Sequence, residues 1–261
     1  MSFALVLIGL IGGILTGLMS VGGGLILTFL LLLTPPLFGQ EYSMHMIAGM
    51  VIVQTLFSSS SGLVTYWKNH LIDWYLLRYM GPPSLIGGTI GSVLSNQMSH
   101  ELLTAIFAIL ALIATASMFL QRVKATSPPY QNKTWAVSLG LGIGLLGGMF
   151  GLGAGFLLLP VLMNVFKIES RTAVGTGLAL GLLLVVGALI GKTFGSAGTG
   201  FPWIEGLILA IGAIPGGLIG SRLANRMKSR SLQSVMSVAL ILVSIKLWAD
   251  LLHVYGLVPK F

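Results

Sequence analysis

The chain has 261 residues, of which 55% are hydrophobic and only 8% charged, with a formal net charge of +8 and no cysteine. Soluble domains carry roughly 25% charged residues, so a soluble globular fold is excluded, and the lack of cysteine removes disulfides, thiol catalysis and cysteine-based metal sites. In so apolar a chain the basic excess points to the cytoplasmic side of a membrane, not to nucleic acid.

Apolar runs with polar breaks predict eight segments, near 3–34, 44–66, 74–95, 101–120, 136–166, 171–192, 203–223 and 231–252. Several reach the roughly 17–25 residues that span a bilayer core. The fold class is therefore all-α polytopic membrane protein, embedded in the lipid bilayer. The short alternating strands of a membrane β-barrel do not appear.

The first segment contains "LMSVGGGLILT", residues 18–28. As one straight helix, 3–34 would be about 48 Å long at 1.5 Å per residue, long for one crossing of a roughly 30 Å core and short for two. Each glycine costs about 1 kcal/mol relative to alanine in a helix interior. These residues predict a break at Gly22–Gly24 and a re-entrant hairpin. The internal counterpart of this segment argues against a cleaved leader.

Segment two carries a polar run, "QTLFSSSSG" (54–62). Gln54, Ser58 and Ser61 share one helical face by i, i+4, i+7 spacing. Such a face either lines a pathway and donates to an anion or bonds neighbouring helices. Segment three ends in "GGTIGSVL" (87–94), and the polar linker "QRVKATSPPYQNKT" (121–134) divides the chain near its middle. Segments five to seven then carry "MFGLGAGFLLL" (149–159), "RTAVGT" (171–176) and "GGLIGSRL" (216–223).

These motifs repeat those of the first half in the same order. "SVGGGLIL" (20–27) lies opposite "GLGAGFLL" (151–158), "HMIAGM" (45–50) opposite "RTAVGT", and "GGTIGSVL" opposite "GGLIGSRL". Gly49 thereby aligns with Gly175, and Trp74 with Trp203. The reading is two repeats, 1–125 and 126–261, forming one membrane domain. The glycine pairs Gly87/Gly91 and Gly216/Gly220 have GxxxG spacing and are read as close helix packing.

Charge decides the topology. With eight simple crossings the basic residues split six against eight, which the positive-inside rule does not expect. If segments one and five turn back, eleven basic residues from Lys68 to Arg230 share one side, leaving Lys192, Lys246 and Lys260 opposite. Each repeat then has one broken re-entrant hairpin and three transmembrane helices. The odd crossing number inverts the second repeat, the architecture of secondary transporters. Both termini lie outside the plasma membrane, and the hairpin tips are expected to meet near the midplane. Lys192 and Glu205 border an outer loop and are expected to be solvated. His45 and Arg171 align at the two mouths, as anion attractors or interfacial anchors.

Broken helices at membrane depth expose backbone N–H groups and a partial positive charge, which favour anions. Glycine also lets a ligand approach the backbone. The same residues suit tight turns and close packing. No Asp or Glu falls convincingly inside a crossing, which argues against a carboxylate proton relay and against a cation pathway. No P-loop, zinc motif or nucleophile elbow is present. The reading is therefore not an enzyme, with no cofactor, no metal, a small anionic substrate and no nucleic-acid partner. It allows either a monomer or a homodimer.

Together "GLMSVGGGLIL", "AGM" and "GGTIGS", with the second copies "GGMFGLGAGFLLLP", "AVGTGLA" and "PGGLIGSRL", resemble the TauE/SafE sulfite exporter family over nearly the whole chain. The resemblance implies a plasma-membrane transporter that exports sulfite, sulfonates or related small sulfur-containing anions by alternating access. Its alternatives are an anion-selective channel and an importer of a similar anion. Carried over by motif, the implied substrate-binding residues are Gly22, Gly23, Gly24, Gly49, Gly153, Ala154, Gly155, Gly175 and Thr176. The reading of segment two adds Gln54 and Ser58. The first copy departs from the second in lacking the threonine of Val174-Gly175-Thr176, and in having Ile86 and Phe29 where the second has Pro215 and Pro160.

Overall fold

The computed structural model describes residues 2–20, 44–99, 132–151, 155–195 and 201–227, with scattered positions between 24 and 31, 102 and 113, and 231 and 241. Gly22, Gly23, Gly153, Ala154, the linker core and most of segments four and eight lie outside the described residues. Seven helices are bounded: α1 (Ser2–Met19), α2 (Met44–Lys68), α3 (Trp74–Ser95), α4 (Lys133–Phe150), α5 (Gly155–Asn164), α6 (Ser170–Gly195) and α7 (Trp203–Arg226). Among the described residues, four stretches are long and apolar enough to cross a membrane: Met46–Lys68, Lys133–Phe150, Ser170–Phe194 and Trp203–Arg226. The protein is an all-helical polytopic membrane protein.

Close packing is built on small residues. Gly9, Gly13 and Gly17 of α1 rest on the backbones of Leu209, Ala213 and Gly217 in α7. Gly140, Gly144 and Gly148 of α4 rest in the same way on Met80, Ser84 and Gly88 in α3. A methyl group at any of these six positions would come within 3.0 Å of backbone atoms. The two ladders correspond: Gly9 and Gly140 stand 131 positions apart, Met80 and Leu209 stand 129. Those are the offsets of the aligned sequence motifs. The GxxxG pairs behave as read, Gly87 and Gly91 on Leu141 and Leu145, Gly216 and Gly220 on Leu10 and Ile14. Tight interhelical approach is what such spacing permits in lipid, where apolar burial alone gives no driving force.

The serine after each GxxxG bonds across to a second neighbour. Ser92 Oγ donates to the Ala188 carbonyl of α6 at 2.7 Å, and Ser221 Oγ to Thr65 Oγ1 of α2 at 2.8 Å. Thus α3 packs on α4 and α6, while α7 packs on α1 and α2. The helices of each half are clasped by the other half.

These contacts fix helix directions. Pro202 sits at Gly49 and Ser221 at Thr65, so α7 runs parallel to α2. Gly9 to Gly17 track Leu209 to Gly217, so α1 runs parallel to both. Likewise Leu71 sits at Gly175 and Thr89 at Gly191, so α3, α6 and α4 are mutually parallel. Gly62 meets Leu178 and Tyr66 meets Gly175, so α2 and α6 are antiparallel. Among the described helices, α1, α2 and α3 therefore run opposite to α4, α6 and α7, the helices aligned with them.

Because α1 and α2 are parallel, the chain between them must return to the end where α1 began. The second half repeats this. After α4 the chain turns, and α5 carries Leu162 back beside Gly177, near the start of α6. Segments one and five therefore break and turn back within the bundle. Their outgoing arms have 18 residues each, about 27 Å. Gly151 lies against Ala48 and Ile52, whereas Gly17 lies against Gly62. Ten residues of α2 separate those levels, about 15 Å, and the tips expected to meet at the midplane lie outside the described residues.

Lys68, Arg78, Lys133, Lys167, Arg171, Arg222 and Arg226 all fall at one end of this bundle, at the ends of α2 and α7 and the starts of α3, α4 and α6. Lys192 falls toward the other. It is not solvated as expected but buried, with 6% of its surface exposed.

Candidate functional site

The two outgoing arms end in the same backbone conformation. Gly151 caps α4 at φ 67° with its N–H on the Gly148 carbonyl, and Ser20 follows α1 at φ 66°. These are aligned positions. Glycine adopts the left-handed region without strain. A serine there costs roughly 1–2 kcal/mol. Ser20 is also fully buried, and its hydroxyl has no hydrogen-bond partner among the described residues. Sequence reading passed over Ser20. Its signal was its place at the mouth of a glycine break where the other copy has glycine.

Gln54 lies two residues from the midpoint of α2 and is fully buried. Its Oε1 accepts a long hydrogen bond from Thr55 Oγ1 at 3.3 Å. Its Nε2 has no partner among the described residues. That nitrogen abuts Gly12 of α1, where an added methyl would lie 3.2 Å from both Nε2 and the Leu27 side chain. Leu27 belongs to the returning part of segment one and is itself buried. The structure thus brings Gln54 together with both arms of the first hairpin. A buried amide left unsatisfied costs about 1–3 kcal/mol.

The other described sequence candidates have partners or packing contacts of their own. Ser58 Oγ donates to the Thr55 carbonyl at 3.4 Å, and the Ser58 carbonyl accepts from Ser61 Oγ at 3.0 Å. Both serines face Gly217 of α7, on the helix-packing face. Gly24 is helical and buried, and its carbonyl accepts from Thr28 Oγ1 at 2.9 Å. Gly155 opens α5 after the break. Gly49 packs under Phe201 and Pro202, the approach to α7.

Gly175 packs under the Leu71 backbone, and Thr176 Oγ1 accepts the Asp73 backbone N–H at 2.8 Å. Asp73 in turn caps α3 through Leu76 N at 3.1 Å. The "AVGTG" element therefore holds the α2–α3 connection, and its Gly177 leaves room for the Ser20 hydroxyl. Two anchors lie near it, of which Tyr66 was not read from sequence. Tyr66 donates its hydroxyl to the Gly17 carbonyl at 3.1 Å, tying α2 to the end of α1. Arg171 donates to the Met227 carbonyl at 3.1 Å, a tie to the end of α7.

Chemically, the buried groups offered at the first hairpin are neutral donors, with no carboxylate beside them among the described residues. No group of three metal-binding side chains occurs among the described residues either. Neutral donors in a low-dielectric setting attract an anion's oxygens and release them more readily than a fixed cation would.

The sulfite exporter TauE/SafE family profile matches residues 5–247. The chain belongs to this family. A Bacillus subtilis relative named "Probable membrane transporter protein YunE" is 27% identical over 270 residues, covering 95% of this chain and 97% of the relative. A second from the same organism, "Probable membrane transporter protein YjnA", is 27% identical over 263 residues, covering 95% and 100%. A third, named "Probable membrane transporter protein" from Xylella fastidiosa Temecula1, is 26% identical over 259 residues, covering 93% and 94%. No solved structure matches the chain significantly. Family and relatives agree on a membrane transporter.

Proposed function

We propose that this transporter exports small sulfur-containing oxyanions, sulfite or sulfonates, across the plasma membrane by alternating access, without enzymatic chemistry. The observation that carries the proposal is Gln54: a fully buried amide donor with no partner among the described residues, near the middle of a spanning helix and against both arms of a broken segment. Gly22, Gly23, Gly24, Gly153, Ala154 and Gly155 frame the two breaks and supply backbone N–H groups. The chain comprises two inverted repeats, 1–125 and 126–261. What supports this is the opposed direction of each aligned helix pair and the matching glycine ladders. The basic end of the bundle is cytoplasmic by the positive-inside rule, which puts both termini outside. With a negative interior, export of one negative charge gains roughly 2.3 kcal/mol per 100 mV, so a coupling ion is not required.

The test is sulfite flux from liposomes holding the purified protein, with taurine, sulfoacetate and simple carboxylates as comparators. Saturable sulfite flux without open-channel currents is expected. Absence of flux for every sulfur oxyanion would overturn the proposal, and open-channel currents would replace the carrier with a channel.

A further inference from the structure

We infer that the Ser20 hydroxyl is a second hydrogen-bond donor to the transported oxyanion, about 12 Å nearer the basic end of the bundle than Gln54, from the eight residues between Gly12 and Ser20. The inference rests on the function proposed above and adds a residue and a second station to it.

Three observations converge on Ser20. Its hydroxyl is fully buried, with no partner among the described residues. Its backbone is left-handed, and Gly151 holds the aligned place in the other half at nearly the same φ. A residue kept only for the turn would be glycine, as it is there. Finally, a methyl at Gly177 would lie 2.5 Å from Ser20 Oγ, so α6 leaves the space that this hydroxyl occupies. A hydroxyl unpaired among the described residues, on a strained residue, is a cost that they do not recover. Strain and unsatisfied donors of this kind collect where ligands bind.

The neighbouring Tyr66 hydroxyl is spent on the Gly17 carbonyl, and the Thr176 oxygen accepts from Asp73 N. Gln54 and Ser20 are then two neutral donors spaced along α1. The positions aligned with them, Leu180 and Gly151, offer no side-chain donor. The route for the anion therefore follows the first hairpin, and the two halves divide the work unequally. Two modest stations let the anion bind and still leave, as permeation requires.

The experiment compares Ser20→Gly and Ser20→Ala with wild type in sulfite-loaded liposomes, alongside thermal melting. Glycine relieves the backbone and removes the hydroxyl; alanine removes the hydroxyl and keeps the strained backbone. Both variants are expected to raise the KM for sulfite about tenfold, equivalent to about 1.4 kcal/mol, with the maximal rate within twofold. Ser20→Gly is expected to melt at or above the wild-type temperature. A folded Ser20→Gly with unchanged KM overturns the inference while leaving the transporter reading intact. If that variant does not assemble, Ser20→Ala decides on KM by the same criterion. Wild-type protein that moves no sulfite sinks the underlying reading, and this inference with it.

Discussion

Replacing Gln54 with leucine separates transport from stability. Among the described residues the buried Gln54 amide nitrogen has no partner, and a 3.3 Å bond from Thr55 engages the other end of the side chain. Removing an unsatisfied buried donor returns about 1–3 kcal/mol, while losing one weak hydrogen bond costs about 0.5–1.5 kcal/mol. Leucine also fits the local pattern, since the aligned residue of α6 is Leu180, itself fully buried. The net expectation is a gain of about 1 kcal/mol, or roughly 2–4 °C in melting temperature for a chain of this size. Transport should move the opposite way. A hydrogen bond to a charged group contributes about 1.5–3 kcal/mol, so affinity for sulfite should fall at least about tenfold. Tryptophan-fluorescence melting in detergent gives the first quantity and liposome sulfite flux the second. A variant that melts lower and transports normally would refute both the unsatisfied donor and its role.

Other predictions test the frame around the site. Gly144→Ala places a methyl on the Ser84 backbone and should cost at least about 1–3 kcal/mol by overpacking, seen as early melting or loss of assembled protein. Gly142→Ala, two residues away, meets nothing within 4 Å and should be neutral or stabilising by up to about 1 kcal/mol in the same assay. Thr176→Val leaves the Asp73 N–H without its acceptor, and should lower stability by about 1–3 kcal/mol on thermal melting. Single cysteines at Asn69 and Ser99, which are exposed at the two ends of α3, should be labelled by impermeant thiol reagents from opposite sides of the membrane. Labelling from one side would overturn the arrangement.

Much of the fold was legible because apolar length, glycine punctuation and charge placement are local properties. "SVGGG" and "GLGAG" announced two interrupted helices, and the spacing of Gly87/Gly91 and Gly216/Gly220 announced close packing. Position was less legible than pattern. Where a tip stops depends on how far the outgoing arm slides along its partner, which the ladders of Gly9–Gly13–Gly17 and Gly140–Gly144–Gly148 set through contacts in the other half of the chain. Thr176 shows the same limit. A hydroxyl beside a glycine suggested a ligand group, yet its oxygen accepts a backbone N–H 103 positions away. Lys192 was read as solvated from its neighbours in sequence, whereas burial is decided by what packs around α6. Gln54 stood out as an amide in an apolar run. Ser20 did not, since its signal emerges only on alignment with Gly151 in the other half.

The clasp of α1 by α7 also bears on how the protein is made. During synthesis α3 precedes α4 by fewer than 40 residues, so that pair can close soon after α4 enters the bilayer. The glycine face of α1 has to wait for α7, some 180 residues later. Throughout that interval a smooth, sparsely packed helix surface stands open to lipid or to a foreign helix. Among the described helices, the last contact to form is therefore the one that seats the first. Chains halted before residue 203 should insert yet remain loosely assembled, an easy substrate for membrane quality control.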